Sequence, residues 1–516
     1  MNPKKIFPFI IIIALIFSIK FSISGAPSLS SDIVLIPLDS RPCNTDYPAY
    51  AAKAVNKTIS FPKDFLDNYN KPSSLDNLYK YLYESLEHAD TYIIYTNQII
   101  NGGLIASRDP QSYINIDEKL KEFNKFLEAA KAQEKRVIVV SVLPRVIPSQ
   151  FTDLWNFQDE LIDFSLLYGK FQVNISETSP LLVPKEILAR YLSIYSGSDA
   201  IISSMKSNVE KGLIDLFVIG QDDTYKESIT NQQLNKYLDY NSGKIIVQPG
   251  ADELTNLILA RIVRLESSES PLDVKLIYTD SQEGKEVKTF ESFSTEKRSK
   301  QLLSFLSIDI NENSENIAII HNKENMAEST LENLYNNVNK NYLGLIDIAY
   351  VNKGDIELFK NPEFIRNLDG YSGWNTVGNS LGSEYANLVI FDYIERNLLA
   401  FPAEEQIQIL ENYYKLLYVH FADDYLYQGI LRNELNDYLI GRDENFSFIL
   451  DKESADDFLE ESFKQESLVL NKTLTGSYSK FNTNFQIKHD MGDISLAWNR
   501  SFEARIRPNL KIIQDR

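Results

Sequence analysis

Two adjacent aspartates, Asp222 and Asp223, directly follow a short apolar run in the middle of the chain. Neighbouring like charges oppose ionisation, so one carboxyl of such a pair keeps its proton to a higher pH unless a cation or hydrogen-bond donors intervene. A protonated carboxyl beside an ionised one is suited to general acid/base catalysis. An aspartate that caps a helix is the structural alternative. The pair therefore predicts either acid/base chemistry or a metal ligand.

A second acidic pair, Asp252 and Glu253, ends the next apolar run within the segment 248–253, QPGADE. Asp252 would cap a helix predicted over residues 254–265, and Glu253 would interact favourably with the dipole of that helix. Because this pair comes one strand after the first, however, four carboxylates are expected on neighbouring strand ends. We therefore predict that the catalytic residues are Asp222, Asp223, Asp252 and Glu253.

Three further polar stretches carry candidate ligand-binding residues. Residues 38–44 contain an Asp-x-Arg motif whose charges either pair with each other or face a ligand. Residues 97–108 contain a glycine pair, which lets the backbone approach a ligand closely or forms a tight turn. Residues 371–382 combine a tryptophan, which either covers a sugar face or packs beside a glycine turn, with amides that both donate and accept hydrogen bonds. The predicted substrate-binding residues are Asp39, Arg41, Asn97, Gly102, Gly103, Arg108, Gln221, Trp374, Asn375 and Asn379.

Short β-branched runs alternate with longer amphipathic stretches from residue 32 to about residue 350, as in βαβ units around a parallel sheet. Eight such units favour a (β/α)8-like barrel, although two doubly wound parallel sheets in tandem would give the same pattern. Ligands of both folds bind at the carboxyl ends of the strands. The predicted strands span residues 33–38, 91–96, 136–143, 216–220, 244–248, 274–279, 316–321 and 345–350.

The pattern becomes helical after residue 383 and strand-like again near the carboxyl terminus. Helices are predicted over residues 384–399, 403–418, 422–440 and 454–470, and strands over residues 485–489 and 494–506. The expected organisation is an α/β catalytic-like domain at 27–383, a helical region at 384–470 and a C-terminal β segment at 471–516. Weaker site candidates, expected rather in packing or on helix surfaces, are Asp423, Asp424, Trp498, Asn499 and Arg500.

The first 26 residues have the order of parts of a signal peptide. Lys4 and Lys5 precede the apolar run 6–19, and small residues follow up to Ala26. Cleavage would make the protein secreted or extracytoplasmic and leave no contact with the membrane, whereas an uncleaved segment would anchor it there. The apolar run is short for a transmembrane span, and no later stretch is apolar enough to cross a bilayer.

Composition excludes several classes of function. The net charge of −20 argues against nucleic acid or anionic lipid as a partner, because phosphate binding needs a basic surface. Cys43 is the only cysteine, so an intramolecular disulfide and a thiolate metal cluster are both excluded. The four histidines are isolated, so no histidine zinc site is predicted. No cofactor is expected, apart from an oxygen-ligated divalent cation in an alternative interpretation of the aspartates.

Four motifs together carry a resemblance to a known family. They are SRP at residues 40–42, QDD at 221–223, PGADE at 249–253 and GWNT at 373–376. In this order the chain resembles the bacterial domain-of-unknown-function family numbered 4127 over essentially its whole mature length. The resemblance supports the domain boundaries and the choice of motifs, and it implies no activity.

Export, strand-end carboxylates and the tryptophan-amide stretch together predict a secreted glycoside hydrolase or related carbohydrate-active enzyme. Two carboxyls are the usual catalytic groups of glycoside cleavage. The adjacent aspartates also suit a substrate-assisted variant acting on acetamido sugars, and the expected partner is a carbohydrate or cell-envelope glycan. One alternative is a hydrolase that uses Mg2+, Ca2+ or Mn2+ held by Asp222, Asp223 and Asp252. The other is a non-catalytic envelope glycan-binding protein.

Overall fold

The computed structural model describes residues 32–171, 183–267, 271–324 and 340–514. The predicted signal peptide, residues 1–26, lies outside the described residues. Within the described ranges, no helix combines the length and the apolar character needed to cross a membrane.

The amino-terminal half is built on a parallel sheet of six strands in the order β2-β1-β3-β4-β5-β6. Alternate residues of one strand belong to different apolar clusters, with Leu35 in one and Val34 and Ile36 in the other, so the sheet has a core on each face. The strands are β1 Ile33–Ile36, β2 Ile59–Ser60, β3 Thr91–Tyr95, β4 Arg136–Leu143, β5 Leu216–Gln221 and β6 Ile245–Val247. The helices are α1 Asp46–Ala54, α2 Leu75–Ser85, α3 Thr96–Ile99, α4 Ile116–Ala132, α5 Gln158–Phe171, α6 Lys185–Glu210, α7 Ile229–Tyr237 and α8 Leu254–Glu266.

A second parallel sheet of five strands follows, in the order β8-β7-β9-β10-β11. In both sheets the second strand flanks the first on one side and the third strand flanks it on the other. Each sheet therefore has a topological switch point, between β1 and β3 or between β7 and β9, where ligands of open α/β sheets bind. The strands are β7 Asp273–Tyr278, β8 Asp309–Ile310, β9 Asn316–His321, β10 Tyr342–Asp347 and β11 Gly370–Ser372, with helices α9 Thr295–Phe305, α10 Pro362–Arg366 and α11 Val377–Asn397.

The predicted α/β class with parallel strands is confirmed, and each of the eight predicted strands matches an observed strand within a few residues. The described parallel strands form two open sheets, so the favoured (β/α)8-like barrel is not confirmed; the alternative of two tandem parallel sheets matches the observed strand order. Hydrophobic runs show which segments are strands, but they do not show which strands pair. The strands that the pattern missed are at most five residues long: β2, β8, β11 and the later strand Gly476–Lys480.

The remaining chain packs back on the α/β part. A long helix runs from Ala403 to Ile440, and its central segment, Phe421–Leu431, is π-helical. The helix Ala403–His420 contacts α1 and the strand Ala504–Gln514, and the helix Lys452–Leu474 packs on the strand Thr483–Leu496. The elements are α12 Ala403–His420, the π segment, α13 Arg432–Ile440, α14 Lys452–Leu474, and the antiparallel strands β12 Gly476–Lys480, β13 Thr483–Leu496 and β14 Ala504–Gln514.

Candidate active site

A cleft of about 280 Å³ lies at the carboxyl ends of the first sheet. Five strands of this sheet contribute charged side chains to it, because the loops after parallel strands meet at the same edge. The second sheet and the hairpin between β13 and β14 cover the opposite side. The charged lining residues of the first sheet are Arg41, Arg108, Arg145, Asp222, Asp223 and Asp252, and the residues facing them include Phe290, Asn352, Asn375, Trp498, Arg500 and Phe502.

Asp39 and Arg41 form a buried network that reaches Asp252. Asp39 is fully buried and accepts hydrogen bonds from the backbone N (3.0 Å) and the Nε (2.9 Å) of Arg41. The Nη2 of Arg41 donates to Asp252 Oδ1 at 2.5 Å, and Asn44 Nδ2 donates to both carboxylates. Asp39, predicted to bind substrate, therefore lies beneath Arg41 and orients it.

The two adjacent aspartates have different partners. Arg108 Nη2 donates to Asp222 Oδ2 at 2.5 Å, and the backbone N of Asp223 donates to Asp222 Oδ1 at 2.9 Å. The Asp223 carboxylate lies 3.8 Å from Arg145 Nη1 and has a side chain that is 30% exposed, against 9% for Asp222. Asp222 is therefore fixed in place, and Asp223 is the one that reaches into the cleft.

A backbone bridge sets the distance between the two acidic motifs. Gln221 N donates to Gly250 O at 2.9 Å, and Gly250 N donates to Gln221 O at 3.0 Å. The helix after β5 is capped by Ser228, and no side chain caps the helix after β6. The capping alternatives for Asp223 and Asp252 therefore do not describe the structure.

The surroundings shift the pKa of the three cleft aspartates in different directions. Burial alone would raise the pKa of Asp222, but the charges of Arg108 and Arg145 outweigh it and lower that pKa. Burial and the charge of Asp222 raise the pKa of Asp223 to about 6. Burial, opposed by Arg41 and reinforced by Asp39, raises the pKa of Asp252 to about 7. The cleft thus holds one ionised carboxylate and two carboxyls that titrate near neutral pH.

Glu253, predicted to be catalytic, lies outside this cleft. It is 1% exposed, and its Oε1 lies 3.0 Å from Arg298 Nη2 while its Oε2 accepts the backbone N–H of Ala251. Gly250 has a φ of +130°, and a Cβ there would collide with Glu253. The PGADE motif is therefore divided: Asp252 faces the cleft, and Glu253 holds the turn.

Several predicted substrate-binding residues have structural roles instead. The Asn97 side chain bonds to the backbone N and O of Val142. Gly102 and Gly103 form a turn with φ of +92° and +127°, and Gly102 lines a separate pocket of about 320 Å³. Trp374 is 8% exposed and packs against Phe502, with ring centroids 6.2 Å apart, rather than lining the cleft.

Gln221 and Asn379 line a recess of about 30 Å³ that continues the cleft behind Asp223 and Asp252. Asn375 lines both the recess and the cleft, and its Nδ2 lies 3.4 Å from Asp252 Oδ2. The recess also contains Glu291, which accepts the backbone N–H of Gly378; burial raises the pKa of Glu291 to about 7. Glu291 was missed because the polar segment around it resembles a surface insertion.

The hairpin between β13 and β14 supplies cleft residues that the sequence assigned to packing. Trp498 and Arg500 both line the cleft, and the Arg500 guanidinium carbon lies 5.0 Å from the centre of the Trp498 ring. Arg145 was also missed, although Leu143-Pro144-Arg145 repeats the pattern of an apolar run that stops at a charge. Asn499 remains in packing, where its backbone O accepts the N–H of Ile449.

The π segment places Asp423 and Asp424, which were expected in packing or on a helix surface, in the interior. Asp424 Oδ2 accepts the backbone N–H of Gly373 at 2.8 Å, two residues before Asn375. Tyr47 donates to Asp423 Oδ2 at 2.5 Å, and burial, with the charge of Asp424, raises the pKa of Asp423 to about 8. The segment thus supports the loop that carries Asn375.

The carboxylates of the metal-site alternative, Asp222, Asp223 and Asp252, all lie in this cleft. Within the described ranges, no group of three or more His, Cys, Asp or Glu side chains is placed to hold a metal ion. Two of these three carboxylates are paired with arginines: Asp222 with Arg108, and Asp252 with Arg41.

The sequence profile of one protein family matches residues 33–507, nearly the whole chain, and that family is described as "Protein of unknown function (DUF4127)". This match confirms the resemblance that the four motifs carry. No curated protein matches the chain. The chain belongs to the DUF4127 family.

Proposed function

We propose that this member of the DUF4127 family hydrolyses glycosidic bonds by general acid/base catalysis, with Asp222, Asp223 and Asp252 as the reacting carboxyls. The observation that carries the proposal is that three carboxyls with different partners meet in one cleft: Asp222 on Arg108, Asp252 on Arg41, and Asp223 facing the cleft. These partners shift the three pKa values apart. Glycoside hydrolysis needs one carboxylic acid to protonate the leaving oxygen and one carboxylate to attack or to activate water. Environments that push the pKa values of neighbouring carboxyls apart indicate this division of roles.

Each aspartate has a role that follows from its contacts. Asp223 is the acid, because its side chain is the most exposed of the three and its pKa is raised to about 6. Asp222 stays a carboxylate through Arg108 and stabilises the positive charge that develops on the sugar ring. Asp252, with a pKa of about 7, acts as the base toward water and is positioned by Arg41.

The rest of the cleft supports a sugar as the substrate. Phe290 and Phe502, both half-buried, provide aromatic surface, and Asn352 and Asn375 provide amides that both donate and accept hydrogen bonds. Trp498 borders the cleft but is 1% exposed and stacks on Tyr69, so it packs, as Trp374 does. The position of Asn375 beside Asp252 also suits an acetamido group in a substrate-assisted variant. Export, predicted from residues 1–26, would bring the enzyme to cell-envelope glycans.

Turnover of glycosides by matched variants tests the proposal. We expect Asp223→Asn and Asp252→Asn to lower the rate on aryl glycosides or envelope glycans by about a hundredfold to ten-thousandfold. Asp90→Asn is the control, because the Asp90 side chain is 95% exposed and precedes β3, at the opposite end of that strand.

Each assay is run with and without a chelator. Full activity in both cleft variants would overturn the assignment, and loss of wild-type activity in chelator would favour the metal-dependent hydrolase. Saturable glycan binding without turnover would favour the envelope glycan-binding protein.

A further inference from the structure

We propose that the glycan bound in this cleft carries an oxyanion, a carboxylate or a phosphate, close to the bond that is cleaved, and that Arg145 binds it. The inference rests on the proposed function and specifies the class of substrate. Its basis is the charge pattern of the cleft, which is lined by four guanidinium groups in a protein of net charge −20. These groups belong to Arg41, Arg108, Arg145 and Arg500.

Three of the four arginines are held by carboxylates of the protein. Arg41 donates to Asp39 and Asp252, as described above. Arg108 Nη2 lies 2.5 Å from Asp222 Oδ2. Arg500 Nε donates to Glu503 Oε2 at 2.7 Å, and its guanidinium lies over aromatic rings. The positive charges of these three side chains therefore have partners within the protein.

Arg145 differs from the other three. Its Nε donates to the backbone O of Ile147 at 3.1 Å, which fixes the plane of the guanidinium. The nearest carboxylate oxygen, Asp223 Oδ2, is 3.8 Å away, and among the described residues the terminal nitrogens of Arg145 make no hydrogen bond. The side chain is 23% exposed and lines the cleft. The two terminal nitrogens of Arg145 are therefore available to a ligand bound in the cleft.

The surroundings of Arg145 are electrostatically suited to an anion. Burial and the charge of Arg108 lower the pKa of Arg145 to about 10, so it remains charged at neutral pH. A planar guanidinium binds a carboxylate or a phosphate through two parallel hydrogen bonds. An anion bound there would also draw the charge of Arg145 away from Asp223, and this would favour the protonated form of the proposed acid.

Equilibrium binding tests this inference without requiring turnover. Calorimetric titrations at pH 7 would compare methyl glucuronide, glucose 6-phosphate and neutral methyl glucoside. We expect at least one of the two anionic sugars to bind about tenfold more tightly than the neutral sugar, since hydrogen bonds between charged groups are the stronger ones. The tighter of the two identifies the oxyanion as a carboxylate or a phosphate.

Matched arginine variants then locate the anion. Arg145→Gln should lose about tenfold or more of the affinity for the anionic sugar, and Arg145→Lys should recover part of it because the charge returns without the planar fork. Arg190→Gln is the control, because Arg190 pairs with Asp153 and does not line the cleft. Melting temperatures of all variants would show that they fold.

Equal affinity for the neutral and anionic sugars, no binding of any of the three, or unchanged affinity in Arg145→Gln would each overturn the inference. Anion binding that depends on Arg145, in a protein that hydrolyses no glycoside, would support the inference and refute the proposed function. Hydrolysis of neutral glycosides without anion binding would support the proposed function and refute the inference.

Discussion

Arg108 determines which of the two adjacent aspartates keeps its charge. Its guanidinium contacts Asp222, whereas Asp223 has only Arg145 at 3.8 Å. The sequence predicts that two neighbouring carboxyls will differ in pKa, because like charges repel. It does not predict which of the two carboxyls has the raised pKa, since Arg108 lies 114 residues from Asp222 along the chain. The proposed catalytic roles therefore depend on tertiary contacts.

The raised pKa of Asp223 makes a prediction about stability. A carboxyl whose pKa is raised to about 6 by folding binds its proton more tightly in the folded protein than in the unfolded chain. The free energy of unfolding therefore decreases as pH rises from about 4 to about 6, and this contribution is absent in Asp223→Asn. We expect the melting temperature of Asp223→Asn, relative to wild type, to increase between pH 4 and pH 7. A difference that stays constant over this range would contradict the assigned shift.

Glu253 shows how neighbouring residues of one motif can take different roles. Removing one partner of a buried ion pair leaves the other charge uncompensated. We expect Glu253→Gln to lower the free energy of unfolding by roughly 3 kcal/mol, because Arg298 is then buried without its carboxylate, and to change kcat by less than about tenfold. Chemical denaturation and turnover measure both quantities. A hundredfold loss of kcat with unchanged stability would restore the catalytic role that the sequence suggested.

The strands were predictable from sequence because each is a nearly continuous apolar run that stops at polar residues. This pattern located Arg41, Asp222 and Asp252, which follow strands of one sheet and share one cleft. The hairpin that brings Trp498 and Arg500 was not predictable in the same way. It reaches the cleft through the packing of the C-terminal sheet on the helices and through a hydrogen bond from Trp498 to Ser40, and local patterns carry no information about these contacts.

The π segment, Phe421–Leu431, leads to a prediction for one element. Asp424 on this segment accepts the backbone N–H of Gly373, a buried residue that directly follows the strand β11. Asp424→Ala should cost about 1–3 kcal/mol of unfolding free energy, since it leaves that donor unsatisfied. It should also raise KM more than it lowers kcat, because the loop that carries Asn375 loses its support.

Asp437→Ala is the matched control, because Asp437 is an exposed residue of the α-helix that follows the π segment. Thermal melts and steady-state kinetics check both variants. Equal effects of the two substitutions would show that the π segment does not support the site.

At the scale of the whole molecule, two sheets with the same strand order contribute to one cleft. The first sheet provides most of the charged groups, and the second provides Asn352 and Asn375. Hydrophobic periodicity predicted eight parallel strands and left the barrel and the tandem sheets open, because both place buried strands at similar intervals. Only the pairing of strands separates the two arrangements, and that pairing is a long-range property.

The pH dependence of kcat/KM on the best glycoside substrate tests the central claim most directly, because it reports the essential acid and base of the free enzyme. With Asp223 as the acid, kcat/KM should decline above pH 6 to 7. Asp223→Asn should lose most of its activity, and the activity that remains should not show this decline. With Asp252 as the base, kcat/KM should also decline as Asp252 is protonated below about pH 6, so the profile should be a bell with its maximum between pH 6 and pH 7. A wild-type rate that rises through pH 8, or a decline that persists unchanged in Asp223→Asn, would contradict the account.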